Sequence, residues 1–183
     1  MPNVQADHLV GSSDSASYNP QMQQNFEVII SLPGSGAAGG SDAGGDVLQL
    51  STKAIDFPKD SSAVKELHYM NEVRKYAGKT TYEDITWTLY DYVSQETLQK
   101  IRDWRKKVFD PDTGCIGEPA DYKADGEIHL LGPCGEDSRV WELRGVWPSN
   151  VDTGAGDMTS DGDPVEIAVT LTVDQAVFTG GGT

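Results

Sequence analysis

Strict two-residue alternation of apolar and polar side chains marks the strands of this chain. Over Val165–Val173, the residues Val165, Ile167, Val169, Leu171 and Val173 point one way, and Glu166, Ala168, Thr170, Thr172 and Asp174 the other. Within Thr80–Tyr90, Ile85, Trp87 and Leu89 oppose Asp84, Thr86 and Thr88. Phe26, Val28, Ile30 and Leu32 share one side of Phe26–Leu32, which Pro33 ends. Gly126–Leu131 and Arg139–Trp147 are two further strand segments, and Val47–Phe57 reads as an extended segment stopped by Pro58. One stretch repeats every three and four residues instead. Leu98, Ile101, Trp104 and Val108, with the stem of Arg105, form one face of a helix over Ser94–Phe109. Ser94 serves as its N-cap, Glu96 suits the positive end of the dipole, and Lys106 and Lys107 suit the negative end. Asp110-Pro-Asp-Thr-Gly114 then supplies turn chemistry. Six strand segments and one helix predict a mainly β fold, an antiparallel barrel or sandwich with one flanking α-helix.

Segments without periodicity divide the chain. Residues 1–24 are polar and read as a flexible N-terminal arm, 25–178 as the β domain, and 179–183 as a glycine-rich tail. Gly34–Gly45 holds six glycines in twelve positions, a density that predicts a loop, because each glycine costs a helix roughly 1 kcal/mol relative to alanine. Lys59–Lys79 is charged and contains Tyr69 and Tyr76, and it is expected to project as a long loop or hairpin arm. Val64, Leu67, Tyr69, Met70, Val73 and Tyr76 would be expensive to leave in water, so this arm is expected to form an interface.

Charge narrows the function. Among 183 residues, 14 Lys and Arg face 29 Asp and Glu, a formal net charge of −15. That balance argues against neutralising nucleic-acid phosphates or anionic membrane surfaces. No apolar run is long enough for a transmembrane helix. Met1–Pro20 lacks the basic and apolar regions of a secretory signal, so none is expected. The two cysteines, Cys115 and Cys134, are too few for a disulfide framework. Both lie in turns rich in Gly and Pro. They read either as reduced thiols or as a bridge formed after assembly, between subunits more readily than within one.

Catalytic signals are weak. Gly34-Ser-Gly-Ala-Ala-Gly39 matches a dinucleotide fingerprint in letters, but no helix is expected behind it to hold a pyrophosphate, so no cofactor is expected. Asp157-Met-Thr-Ser-Asp-Gly-Asp163 resembles the start of a calcium loop, yet the twelfth position is Ala168 where a bidentate Glu is needed, so no metal is expected. Glu127 and His129 read as paired polar residues on a solvated strand face rather than an acid–base couple. Neither a Gly-x-Ser-x-Gly elbow nor a His-Glu-x-x-His pair occurs. Trp87, Trp104, Trp141 and Trp147 all occupy apolar-face positions and are expected in the core. The chain reads as a non-enzyme.

The order of segments resembles a family. Tyr82-Glu-Asp-Ile-Thr-Trp-Thr-Leu89 leads into a helix bearing Ile101-Arg-Asp-Trp104, then Asp110-Pro-Asp-Thr-Gly114 and Ala124-Asp-Gly-Glu-Ile-His-Leu-Leu131. Trp141-Glu-Leu-Arg-Gly-Val-Trp-Pro148 and Glu166-Ile-Ala-Val-Thr-Leu-Thr-Val-Asp174 follow. Over Val47–Phe178 this is similar to the tail tube proteins of contractile-tailed bacteriophages, relatives of type VI secretion tubes. The resemblance implies homohexameric rings stacked into a hollow tube, with the Lys59–Lys79 arm reaching the next ring. It further implies a contractile sheath outside, faced by Lys100 and Lys107 of the helix, baseplate and tail-terminator proteins at the ends, and tape-measure protein and genomic DNA passing through the channel. The protein would reside in the virion tail after assembly in the host cytoplasm. Six subunits at −15 each would carry about −90 per ring, a lining that repels DNA rather than binding it. A ligand- or carbohydrate-binding β-sandwich module, using exposed aromatics and the Asp157–Asp163 loop, is the competing expectation. A head-decoration or sheath-side structural protein is a second.

Overall fold

A computed structural model describes residues 21–33, 43–94, 96–132, 135–156, 158–159 and 161–180, with the backbone alone over 43–46. Residues 1–20 of the expected N-terminal arm and most of the glycine-rich loop lie outside the described residues, as do Cys134, Asp157 and Ser160.

The chain order is β1 (Phe26–Ser31), α1 (Ala43–Ser51), β2 (Thr52–Ile55), β3 (Asp60–Tyr69), β4 (Glu72–Tyr82), β5 (Ile85–Tyr90), α2 (Glu96–Val108), β6 (Phe109–Asp110), β7 (Cys115–Ile116), α3 (Pro119–Tyr122), β8 (Ala124–Leu131), β9 (Asp137–Asp152), β10 (Glu166–Thr172) and β11 (Gln175–Phe178). Seven strands form one antiparallel sheet in the order β1-β8-β9-β10-β5-β2, with β11 also paired to β9. The fold is mainly β, as its alternation predicts.

The 16-residue β9 organises the sheet. Its first half pairs β8 on one flank and β11 on the other, and its second half pairs β10. Between the halves sits Gly145 at φ +66°, where β9 spends an extra residue against β8. A glycine in the left-handed region of a bulge sharpens strand twist and bends the ribbon, which lets one strand serve two halves of a curling sheet.

The core follows the alternating patterns. Ile85, Trp87 and Leu89 of β5 meet Ile167, Val169 and Leu171 of β10, all at most 1% exposed, and Val28, Ile30, Ile128, Leu143 and Val146 continue the same cluster. Helix α2 contributes Ile101, Trp104 and Val108, with Leu98 half-buried at the margin. The turn after it forms as its residues predict: Gly114 N–H donates to the Asp110 carbonyl at 2.8 Å, and Thr113 Oγ1 donates to the Asp110 carboxylate at 3.0 Å.

Four expectations are corrected. Val47–Phe57 is not one extended segment, because helix α1 runs to Ser51 and only Thr52–Ile55 is strand. Extended backbone would put Leu48 and Leu50 on one face; instead Leu48 is 2% exposed, Leu50 is 77% exposed, and Ser51 is buried three residues after Leu48. Gly44 and Gly45 lie inside this helix despite their poor propensity, which burial of Leu48 and Ser51 offsets. The flanking helix is therefore joined by two more, α1 and α3. Val165 lies just outside β10 and is exposed; Pro164 precedes it, and its carbonyl accepts the Asp91 N–H at 3.0 Å, one step beyond the Glu166–Tyr90 pair. Trp141 and Trp147 are half-buried rather than core. Trp141 stacks between Phe57 and Phe178, with ring centroids 5.0 and 5.5 Å away, and Trp147 meets Tyr122 edge-on at 5.8 Å.

Candidate functional site

Three surfaces stand out from the sheet and its helices. The first is the β3–β4 hairpin, a separate two-stranded sheet of Asp60–Tyr82. Its ten-residue strand extends about 33 Å at roughly 3.3 Å per residue. Ser62 Oγ and Thr80 Oγ1 are 2.8 Å apart near its base, and the Glu83 N–H donates to the Lys59 carbonyl at 2.9 Å. Every residue of β3 is exposed. Val64, Leu67, Tyr69, Met70, Val73 and Tyr76, singled out from sequence, are all between 50% and 90% exposed. The structure brings them together on one arm and packs none of them into its own core. Four cations against three carboxylates leave Asp60–Tyr82 at +1, so the rest of the chain carries −16.

The second surface is the outward face of β1, β8 and the first half of β9. Glu27, Asp125, Glu127 and Glu142 stand on it. Glu127 and Glu142 are cross-strand neighbours, an arrangement that like charges disfavour. Each has a side-chain partner: Arg144 Nη2 lies 3.0 Å from Glu142, and His129 Nε2 lies 3.0 Å from Glu127. His129 Nδ1 is also 3.0 Å from Asp137. Partial burial pulls the His129 pKa down, but hydrogen bonds to Asp137 and Glu127, with their charges, outweigh it and hold the pKa above its ordinary 6.5. The outward face of β5 and β10 differs in kind, carrying Thr86, Thr88, Thr170 and Thr172.

The third surface is the outer side of α2. Lys107 is exposed and its ammonium donates to the Pro33 carbonyl; Lys100 is half-buried. Beyond α2, the β6–β7 turn leaves Phe109, Cys115 and Ile116 exposed. Cys134, the other half of the expected bridge, lies outside the described residues.

Clefts among the described residues are open. One, about 610 Å³, runs between β1 and β2 and is lined by Phe26, Lys53, Ile55 and Phe57. No group of three His, Cys, Asp or Glu able to hold a metal ion occurs among the described residues. No described helix is long and apolar enough to cross a membrane. Sequence reasoning missed two buried hydroxyls, Ser51 and Thr97, because packing of α1 on α2 is what hides them.

No protein-family model matches the chain. The tail tube protein gp19 of Enterobacteria phage T4, and likewise that of phage T6, is 27% identical over 108 residues. The match spans 58% of this chain and 66%, just under two thirds, of each gp19. A chain of the PVC sheath–tube complex, an extracellular contractile injection system in its extended state, superposes with a TM-score of 0.68 at 17% identity, covering 93% of this chain and 99% of its own. A chain of the anti-feeding prophage tube-terminating cap gives 0.69 at 15% identity, covering 98% and 100%. The chain is therefore a homologue of the phage tail tube protein gp19, and its fold is that of the tail tube proteins.

Proposed function

We propose that this chain is a structural subunit of the tail tube of a contractile phage-like particle. Six copies close into a ring, and rings stack through the β3–β4 hairpin into a hollow conduit. The hairpin carries this reading, because a monomer would leave its aromatic and aliphatic side chains in water with no core behind them. Homology to gp19 and the shared fold support it. A ring at about −90 repels DNA, which suits passage rather than capture. A tape-measure protein would occupy the same channel before DNA does. The sheath packs outside, with Lys100 and Lys107 of α2 on the side that meets it, and baseplate and terminator proteins close the ends. The protein works in the virion tail after assembly in the host cytoplasm, as a structural part without catalysis.

Size-exclusion chromatography with negative-stain imaging of the purified full chain tests this. Rings or tubes with a central hole are the expected result. A chain that stays monomeric at high concentration would overturn it and favour a ligand-binding module.

A further inference from the structure

Charge is unevenly spread around helix α2. The helix holds five cations and two carboxylates, +3 within a chain at −15. Lys100 and Lys107 each stand four residues after an acid, Glu96 and Asp103, a spacing that offsets opposite charges on one helix edge. Lys106 reaches beyond the helix, its ammonium 3.0 Å from Asp112 and 3.6 Å from Asp110. Arg102 and Arg105 remain. Arg102 is exposed and Arg105 half-buried, and neither takes part in an ion pair among the described residues.

Like charges three residues apart repel, and Lys106 brings a third cation to the same edge, four residues after Arg102. The helix dipole favours cations in the last turn, where Arg105 and Lys106 lie, but does little for Arg102 a turn earlier. The chain has 29 acids against 14 cations, yet none of those acids pairs with the two arginines among the described residues. Apolar side chains bracket the helix along its axis. Val93, three residues before it, is fully exposed, and at the far end the cross-strand partners Phe109 and Ile116 are exposed as well. Thirteen helical residues put about 20 Å between these ends.

We propose that Arg102 and Arg105 anchor an acidic segment of a sheath-side protein, which lies along α2 and covers Val93 at one end and Phe109 and Ile116 at the other. This rests on the tail-tube reading above, in which α2 faces outward, and deepens it by moving the anchor from Lys100 and Lys107 to the two arginines. Charge complementarity selects the occupant. A guanidinium presents a planar fork of donors that grips a carboxylate through two parallel hydrogen bonds, and two forks one turn apart grip two acids of one segment. The apolar ends supply the area that exposed ion pairs alone lack.

The probe is a labelled peptide of about six glutamates with a leucine pair at each end, long enough to span the helix when extended. Fluorescence anisotropy with the full chain at low ionic strength reads its binding. R102E/R105E should weaken binding at least about tenfold relative to the parent, whereas K100E/K107E should weaken it less than about threefold. R102E alone changes only an exposed position, so it should melt as the parent does and still bind more weakly, which keeps the test decisive if the double variant misfolds. V93S/I116S should weaken binding of this peptide and leave that of a serine-ended version unchanged; equal binding of both by parent and variant would overturn the apolar ends. Parent-like binding by R102E, equal affinity for a peptide with lysine in place of glutamate, or a larger loss from K100E/K107E than from R102E/R105E would each overturn the arginine anchor. Expected peptide binding by a chain that forms neither rings nor tubes would instead bring down the tail-tube reading.

Discussion

Ser51 Oγ lies 2.9 Å from Thr97 Oγ1, both side chains fully buried where α1 packs on α2. Ser51 donates its single proton to the Val47 carbonyl of its own helix, so Thr97 is the donor between them. The pair fastens the helix that sequence periodicity does not show. Ser51→Ala should destabilise the subunit by about 1–3 kcal/mol, since it leaves the Thr97 hydroxyl unpaired in the core. The double variant S51A/T97V should cost less than the two single changes added together. Thermal or denaturant melting of the four proteins measures this coupling directly.

Val169 sits at the centre of β10, paired with Trp87 on one side and Val151 on the other, with no exposed surface. An aspartate there would place an unpaired charge in the core at a cost of several kcal/mol, a large share of a small domain's stability. Val169→Asp should give insoluble or unfolded protein. An unchanged melting temperature would refute the assignment of that strand face to the core.

Gly145 combines a left-handed backbone with a close neighbour. A Cβ there would stand 2.4 Å from the Asp174 carboxylate, which holds the Lys123 ammonium. Gly145→Ala should cost about 1–2 kcal/mol for the backbone and further stability for the displaced ion pair. Gly114 is the matched control, at φ +70° with nothing within 4 Å. Gly114→Ala should therefore cost less than Gly145→Ala when both are compared by denaturant midpoint.

His129 makes stability depend on pH. Its folded pKa lies above its ordinary 6.5, so the stabilisation it gives is complete below the unfolded pKa and is lost as pH rises through the folded value. The melting advantage of the parent over His129→Gln should be greatest at about pH 5–6 and fade above neutrality. Both carboxylates are about half exposed, so the difference should reach about 1 kcal/mol at most. A gap that widened toward pH 9 would contradict the pairing.

What the sequence determined by itself is what repeats locally. Alternation in Ile85–Leu89 and Ile167–Leu171 fixes which side chains can share a dry face, whatever the strands pair with, and both sets are buried. The three-and-four spacing of Ile101, Trp104 and Val108 does the same for α2. The resemblance to tail tube proteins was legible for a related reason, since the turns and alternating runs occur in one order along the chain. Tertiary structure decided the features whose energy comes from distant partners. Helix α1 forms through a glycine pair because Leu48 and Ser51 find cover from β1, β5 and α2, a gain that no local propensity contains. Gly145 reads as one more glycine until β9 has to serve two halves of a sheet and bend between them. The hairpin shows the same division of information. Its apolar residues are visible in the sequence, but their division between two uncovered faces exists only once Leu67 is paired with Arg74 and His68 with Val73, because facing is a property of the register and not of the residue.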